Sequence, residues 1–321
     1  MFAAGLAACA SPGWANQPAI GGVGKVVIGF GAGSVFDIMG RHFADRLQGA
    51  YANTVIVENR PGAAGRIAIE HIKRAGVDGQ SIIFVPSPLL TLYPHLYAKL
   101  GYDPVNDLVA LGTVFQTKCG LVVGRNVPAS VTNVAQFGEW ARARGKLNYT
   151  ANAEGATSHL LALRMNKVLG IQDAAYVAYN ASSSAASLPA LIAGDLDYAM
   201  WNSGTTTAAL KTGQARLLAC GAPTRSRFFP NVPTFIEQGF PTIADIEGGG
   251  FYAAKGAPEA IRQRVAAAIK TIAQDPATAE MMGRFSVEAA YRSPEDAHKD
   301  LVADLARYKT VVQESGVRLD R

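Results

Sequence analysis

The 321-residue chain carries only three cysteines and five histidines, and no two of them stand at metal-ligand spacing. A structural or catalytic metal site therefore has no donor set to build on. His42, His71, His95, His159 and His298 read as structural or surface residues, with His159 alone placed to cap or orient the loop that precedes it. There is no Gly-x-Ser-x-Gly elbow and no His-Glu-x-x-His pair, which argues against serine-hydrolase and metalloprotease chemistry. Charged residues make up only 17% of the chain against 49% apolar, with no long acidic or polar tract, so disorder is excluded. The 30 Lys and Arg outnumber the 25 Asp and Glu, but they are spread along the chain rather than gathered with aromatics. Nucleic acid is therefore excluded as a partner. The net charge of +5 fits an anionic small ligand and a merely solvated surface equally well.

Long hydrophobic runs are also missing: no segment has the roughly 20 apolar residues of a membrane helix. Residues 1–15 are small, apolar and uncharged and end in Gly13-Trp14-Ala15, a small-x-small pattern of the kind signal peptidase reads. They are expected to be an export signal. The first basic residue is Lys25, so the missing positive n-region implies a start upstream of Met1. Leu6-Ala7-Ala8-Cys9 offers a rival reading, with Cys9 lipidated. Cys119 and Cys220 read as small buried hydrophobes, with a disulfide between them as the alternative.

What the chain does have is alternation. Lys25-Val26-Val27-Ile28-Gly29-Phe30 reads as a buried strand, Gly31-Ala32-Gly33-Ser34 as a tight loop, and 37–47 as a helix with Ile38, Phe43, Ala44 and Leu47 on one face. A strand over 54–58, the turn Asn59-Arg60-Pro61-Gly62, a helix over 67–75 and a strand over 81–85 continue the pattern. It restarts with a strand over 120–123, a helix over 131–144 and a strand over 147–150. A second small-residue loop over 151–158 and a helix over 159–169 follow. This is an α/β protein with parallel sheets covered on both faces, and its length predicts two lobes. The tail reads as two helices, one opened by Pro258 with an Ile261, Val265, Ile269, Ile272 stripe, the other running from Ser293-Pro294-Glu295-Asp296 to Gly316.

Each loop places small residues where a helix begins, and free backbone N–H groups and the helix dipole favour an anion there. The first offers Ala32, Gly33, Ser34 and Val35, the second Gly155, Ala156, Thr157 and Ser158. The same residues also suit the tight turn that any βα unit needs. A dinucleotide fingerprint fails: taking Gly29 and Gly31 as the first two glycines puts Ser34 third, and taking Gly31 and Gly33 puts the bulky Phe36 there.

With these loops in place, the sequence resembles the Bug-type solute receptors, the extracytoplasmic components of tripartite tricarboxylate transporters, over nearly the whole mature chain. The resemblance rests on Phe30 with Ala32-Gly33 and Asp37, on Val57-Glu58-Asn59-Arg60-Pro61-Gly62-Ala63, and on Leu96-Tyr97 with Tyr102-Asp103-Pro104. It rests further on Leu147-Asn148-Tyr149 with Gly155 and His159, and on Asn231-Val232-Pro233-Thr234. It implies a two-domain periplasmic binding protein of type II-like architecture: two Rossmann-like lobes joined by crossing strands, with a ligand cleft between them. The implied function is capture of a small organic carboxylate, without catalysis or cofactor, by a monomer that hands it to membrane permease subunits. The implied domains are 22–120 with 241–321, and 121–240.

Carried over, the first loop contributes Phe30, Ala32, Gly33, Ser34, Val35 and Phe36, and the second Gly155, Ala156, Thr157 and Ser158. Ser87, Tyr179, Trp201, Asn202 and Gly248 complete the candidate cleft wall. The chain departs from the family where Ser34-Val35-Phe36 replaces Gly-Gly-Thr and where Pro86-Ser87-Pro88-Leu89-Leu90 replaces a polar segment. Trp201 also stands in place of an aspartate and Gly248 in place of a tryptophan. These changes point to a ligand more apolar than citrate or aspartate, such as an aromatic acid stacked on Trp201 or Phe36. A sensor subunit read by a signalling partner and a secreted hydrolase on the same scaffold are the alternative functions.

Overall fold

Apolar strands with few charges need both faces covered. The computed structural model, which describes residues 19–179, 184–202 and 207–319, covers them with helices. β1 (Ile20–Ile28), α1 (Val35–Leu47), β2 (Ala52–Asn59), α2 (Arg66–Ala75) and β3 (Ser81–Pro86) form the opening unit, with β1 pairing in parallel with β2 and β3. Two one-turn helices, α3 (Pro88–Thr91) and α4 (Tyr93–Leu96), sit at the end of β3 and lead into the 16-residue β4 (Leu108–Val123). The second unit comprises α5 (Val134–Arg144), β5 (Leu147–Ala151), α6 (Thr157–Leu169), β6 (Ala174–Tyr176), α7 (Ser184–Ala193), β7 (Tyr198–Asn202), α8 (Thr207–Lys211) and β8 (Arg216–Cys220). β9 (Ile246–Ala254) brings the chain back, followed by α9 (Glu259–Gln274), α10 (Pro276–Gly283), β10 (Glu288–Arg292) and α11 (Pro294–Ser315).

The strand order is β2-β1-β3-β9-β4-β7-β5-β6, with β8 and β10 also pairing β4. The sheet is mixed rather than parallel, because β4 and β9 run antiparallel to the strands they join. β4 pairs with β9 as far as Lys118 and with β7 from Cys119, so it passes from one lobe into the other between those residues. Sequence periodicity shows only its last four residues as a strand. The earlier part is interrupted by register shifts on either side of Gly112 and Thr113.

The first lobe has two cores, one on each sheet face: Val26, Ile28, Phe43, Phe84 and Phe251 on one, Val27, Ile72, Ile83, Tyr252 and Leu301 on the other. The second lobe packs Leu121, Phe137, Tyr149, Met165 and Tyr198 together, with Tyr149 and Tyr198 stacked at 5.1 Å. Ser34 and Ser293 cap α1 and α11 by accepting the N–H of Asp37 and Asp296. The tail holds three helices and a strand rather than two helices, because Asp275-Pro276 ends α9 and caps α10. Cys119 and Cys220 are buried free thiols, not a disulfide. Residues 1–15, including Cys9, lie outside the described residues. Among the described residues no helix is long and apolar enough to cross a membrane.

Where β9 crosses β4, a Cβ on Gly250 would stand 2.1 Å from the Gly112 oxygen and 2.4 Å from Thr113 Cα, both rigid backbone. Around Gly22 there is nothing within 4 Å. Gly250→Ala is expected to lower unfolding stability in urea by about 1–3 kcal/mol, whereas Gly22→Ala changes it little. Equal effects would mean that the two strands are not in that close register.

Candidate functional site

Between β1 and α1 the chain turns through Gly31, Ala32 and Gly33, all exposed, into half-buried Ser34, Val35 and Phe36. The turn is held from inside by Asp37, which is 3% exposed. Its Oδ2 accepts the Gly33 N–H at 2.9 Å and Arg41 Nε at 3.0 Å, and its Oδ1 accepts Asn59 Nδ2 at 2.8 Å. Asn59 Nδ2 also donates to the Phe30 carbonyl at 3.0 Å, tying the end of β2 to the loop. Burial raises the Asp37 pKa, but the hydrogen bonds from Arg41, Gly33 and Asn59 outweigh it and hold this carboxyl below its usual range. Gly33 thus spends its N–H internally. Val35 and Phe36, in the first turn of α1, have no intrahelical acceptor for theirs.

The second loop is built differently. Gly155 has φ +73°, a backbone conformation that favours glycine, and a Cβ there would meet the ends of the Leu319 and Leu96 side chains at 2.7 and 2.9 Å. Its N–H donates to His159 Nδ1 at 3.1 Å, and the Asn152 N–H donates to Ser158 Oγ at 3.1 Å. His159 therefore orients this loop. Thr157 and Ser158 are buried, and the N-cap residue Ala156 makes no side-chain cap bond. The first-turn N–H groups of Thr157 and Ser158 are left without an intrahelical partner.

The two loops meet a common neighbour. Phe30 of the first and Leu160, in the first turn of α6, pack into one apolar cluster with Leu89, Leu90, Leu92, Tyr93 and Leu96 of the α3–α4 segment. Phe30 stacks on Phe36 with centroids 4.7 Å apart, and Phe36 meets Phe115 of β4 edge-on at 5.9 Å. Both rings of the first pair are half-buried, which leaves an aromatic face at the root of the first loop.

The remaining candidates fall in three places. Ser87 and Gly248 are joined by two hydrogen bonds, Ser87 N–H to Gly248 O at 2.8 Å and Gly248 N–H to Ser87 Oγ at 3.2 Å. They line a cavity of about 600 Å³ bounded by α11, β9 and β4, which none of the other candidates lines. Asn202 belongs with the second loop: its N–H donates to Asn152 Oδ1 at 3.3 Å, and its Oδ1 accepts Cys119 Sγ at 2.9 Å. Trp201 is fully buried with Val122, Leu191, Leu196 and Ala199, and Tyr179 packs partly buried against that cluster. The indole fills the second lobe's core and presents no stacking face, because its position on β7 turns it away from Asn202's side of the strand.

Sequence reasoning missed the bracing groups. Asn59 and Asp37 stand in the runs that carry the family resemblance, and a buried polar pair flanking a glycine loop was their available signal. Glu247 of β9 is 8% exposed, and its Oε2 is buried without a hydrogen-bond partner among the described residues. Nothing in the local pattern marks it.

Burial pushes the His159 imidazole down to about pKa 4, keeping it the neutral acceptor that Gly155 requires. The unfolded chain takes up a proton near pH 6.5 that the folded ring refuses until about pH 4. Its contribution to stability is therefore complete above pH 6.5 and is lost as pH falls toward 4. In urea titrations, the stability gap between the native protein and His159→Gln should shrink by up to about 3 kcal/mol over that window. A gap independent of pH would mean the ring is not held neutral.

Comparison with known proteins places the chain in a family. The family model described as the tripartite tricarboxylate transporter family receptor, TctC, matches residues 39–317. The UPF0065 protein in the gbd 5' region of Cupriavidus necator is 28% identical over 294 residues, covering 91% of this chain and 87% of that one. The structure of the periplasmic binding protein BugD superposes with a TM-score of 0.79 at 24% identity, covering 92% of this chain and 98% of BugD. R. palustris Rpa4515, solved with adipate, superposes with a TM-score of 0.81 at 24% identity, covering 95% and 99%. The fold is that of a two-lobed periplasmic binding protein, and the chain belongs to the receptor family of the tripartite tricarboxylate transporters.

Proposed function

We propose that this receptor captures a small organic carboxylate outside the cytoplasmic membrane and delivers it to a membrane permease, without chemical turnover. The observation that carries the reading is the pair of helix starts, one per lobe, that border the same α3–α4 segment. Val35 and Phe36 on one side and Thr157 and Ser158 on the other supply backbone donors and two positive helix ends to a carboxylate. α6 is left without a side-chain cap, so a ligand oxygen serves as its acceptor. The adipate bound to Rpa4515 is a ligand of the chemical class that such a site takes.

The apolar end of the ligand lies against the Phe30–Phe36 pair, which replaces Trp201 as the aromatic wall. Closure of the lobes around such a guest is a shift in population toward a state that the ligand bridges, and the permease reads that state.

Two measurements test this. A carboxylate present at 100 times its Kd stabilises the folded state by about 2.7 kcal/mol, so a thermal-shift screen of aliphatic and aromatic acids will find ligands. Ala32→Trp and Ala156→Trp, each placing a bulky side chain at a loop, should weaken the best ligand more than tenfold while the unliganded melting temperature changes little. Unchanged affinity in both would move the site elsewhere. Phe36→Leu should weaken aromatic acids several-fold more than aliphatic ones; equal losses would remove the aromatic wall from the account.

A further inference from the structure

Glu247 occupies an unusual position. It lies on β9 opposite Thr117 of β4, one residue before the point where β4 passes between the lobes. Toward the first lobe it is close enough to act on the ionisation of Tyr93 of α4, a member of the cluster that holds Phe30. Toward the second lobe it acts likewise on Cys119, which is bonded to Asn202 and through it to Asn152, the first residue of the second loop. Pairing with Thr117 puts Glu247 on the same face of the crossing strands as Phe115, which meets Phe36 of the first loop, and Cys119, which is bonded to Asn202 beside the second, so Glu247 lies between the groups that contact the two loops. Its Oε2 is buried with no donor among the described residues. The neighbouring carboxylate Asp245 is engaged by Arg307 Nη2 at 3.0 Å and Tyr308 Oη at 2.8 Å. The nearby cation Lys118 is committed to Glu288 at 3.2 Å and to the Arg225 carbonyl at 3.1 Å. Among the described residues Glu247 forms no salt bridge, and its Oε2 has no hydrogen-bond partner.

A buried carboxyl without a counter-charge is costly when ionised, and a ligand cation in hydrogen-bond reach removes that cost. We infer that Glu247 is a specificity-determining residue that pairs with an ammonium group of the ligand, so that the receptor takes an amino carboxylate. This rests on the reading above: the ligand carboxylate sits at the helix starts of α1 and α6, and its amine reaches down to the crossing strands. Burial, with the charge of Asp245 nearby, pushes the Glu247 pKa up to about 7. The carboxyl is therefore largely protonated at pH 6. Binding an ammonium ion converts it to carboxylate, and the proton passes to the buffer.

The test uses matched pairs: butanoate with 4-aminobutanoate, hexanoate with 6-aminohexanoate, and 3-phenylpropanoate with phenylalanine. Titration calorimetry at pH 6 in buffers of different ionisation enthalpy is applied to the native protein and to Glu247→Gln. The expected result is that at least one amino member binds the native protein tenfold or more tightly than its plain partner, with release of a proton. In Glu247→Gln that advantage and the proton release are both lost, while the plain acid binds as before. Amino members with no advantage in any pair, or an advantage that survives in Glu247→Gln, would overturn the inference and leave the carboxylate site standing. If no acid of either kind binds, the carboxylate-receptor reading itself fails. Thermal unfolding of Glu247→Gln confirms that the variant compared is folded.

Discussion

The first turn of an α-helix leaves backbone N–H groups without acceptors, and what this protein does with the two starts at α1 and α6 governs the rest. In the first loop Asp37 takes the Gly33 N–H and Ser34 takes that of Asp37. Those bonds fix the turn and leave the donors of Val35 and Phe36 unused within the helix. In the second loop His159 takes the Gly155 N–H and Ser158 takes that of Asn152. The two sets of bonds do the same job with different chemistry, a charged carboxylate on one side and a neutral imidazole on the other. Each fixes its loop and orients the remaining donors in advance, and in the proposed reading this lowers the ordering cost of binding a carboxylate.

The crossing strands set the distance between those loops. β4 carries the chain from one lobe into the other, and β9 lies antiparallel along its first part. Gly250 permits the close approach of the two strands, and Lys118, buried with Glu288, ties β4 to β10 and to the Thr224-Arg225 segment beyond β8. Breaking such a buried pair by removing one partner leaves the other charge unpaired and is costly.

Much of this was legible before any coordinates. The βα alternation, the two small-residue loops, the Ser293 start of the last helix and the orienting role of His159 all follow from local pattern, because each depends on residues within a few positions of one another. The Asn59 run was legible as a resemblance, but its purpose was not, since Asn59 reaches a carbonyl 29 residues away. Asn231-Val232-Pro233-Thr234 likewise turns out to tie its segment to β8, with Cys220 N–H bonded to the Pro233 carbonyl. Trp201 illustrates the limit of reading faces from substitutions: its type suggested a cleft wall, but the side of β7 it occupies is set by pairing with Gly120 of β4, and that side is core. The length of β4 and the mixed sheet were hidden for a similar reason, since bulges break the period that marks a strand.

The central claim is that backbone donors from opposite lobes serve one anion. Amide chemical-shift perturbation tests it most directly, with an isotopically labelled protein titrated with the best carboxylate from the screen. The account predicts that the amides of Val35, Phe36, Thr157 and Ser158 shift together with a single dissociation constant. Shifts confined to one loop, or two loops responding with different constants, would contradict it.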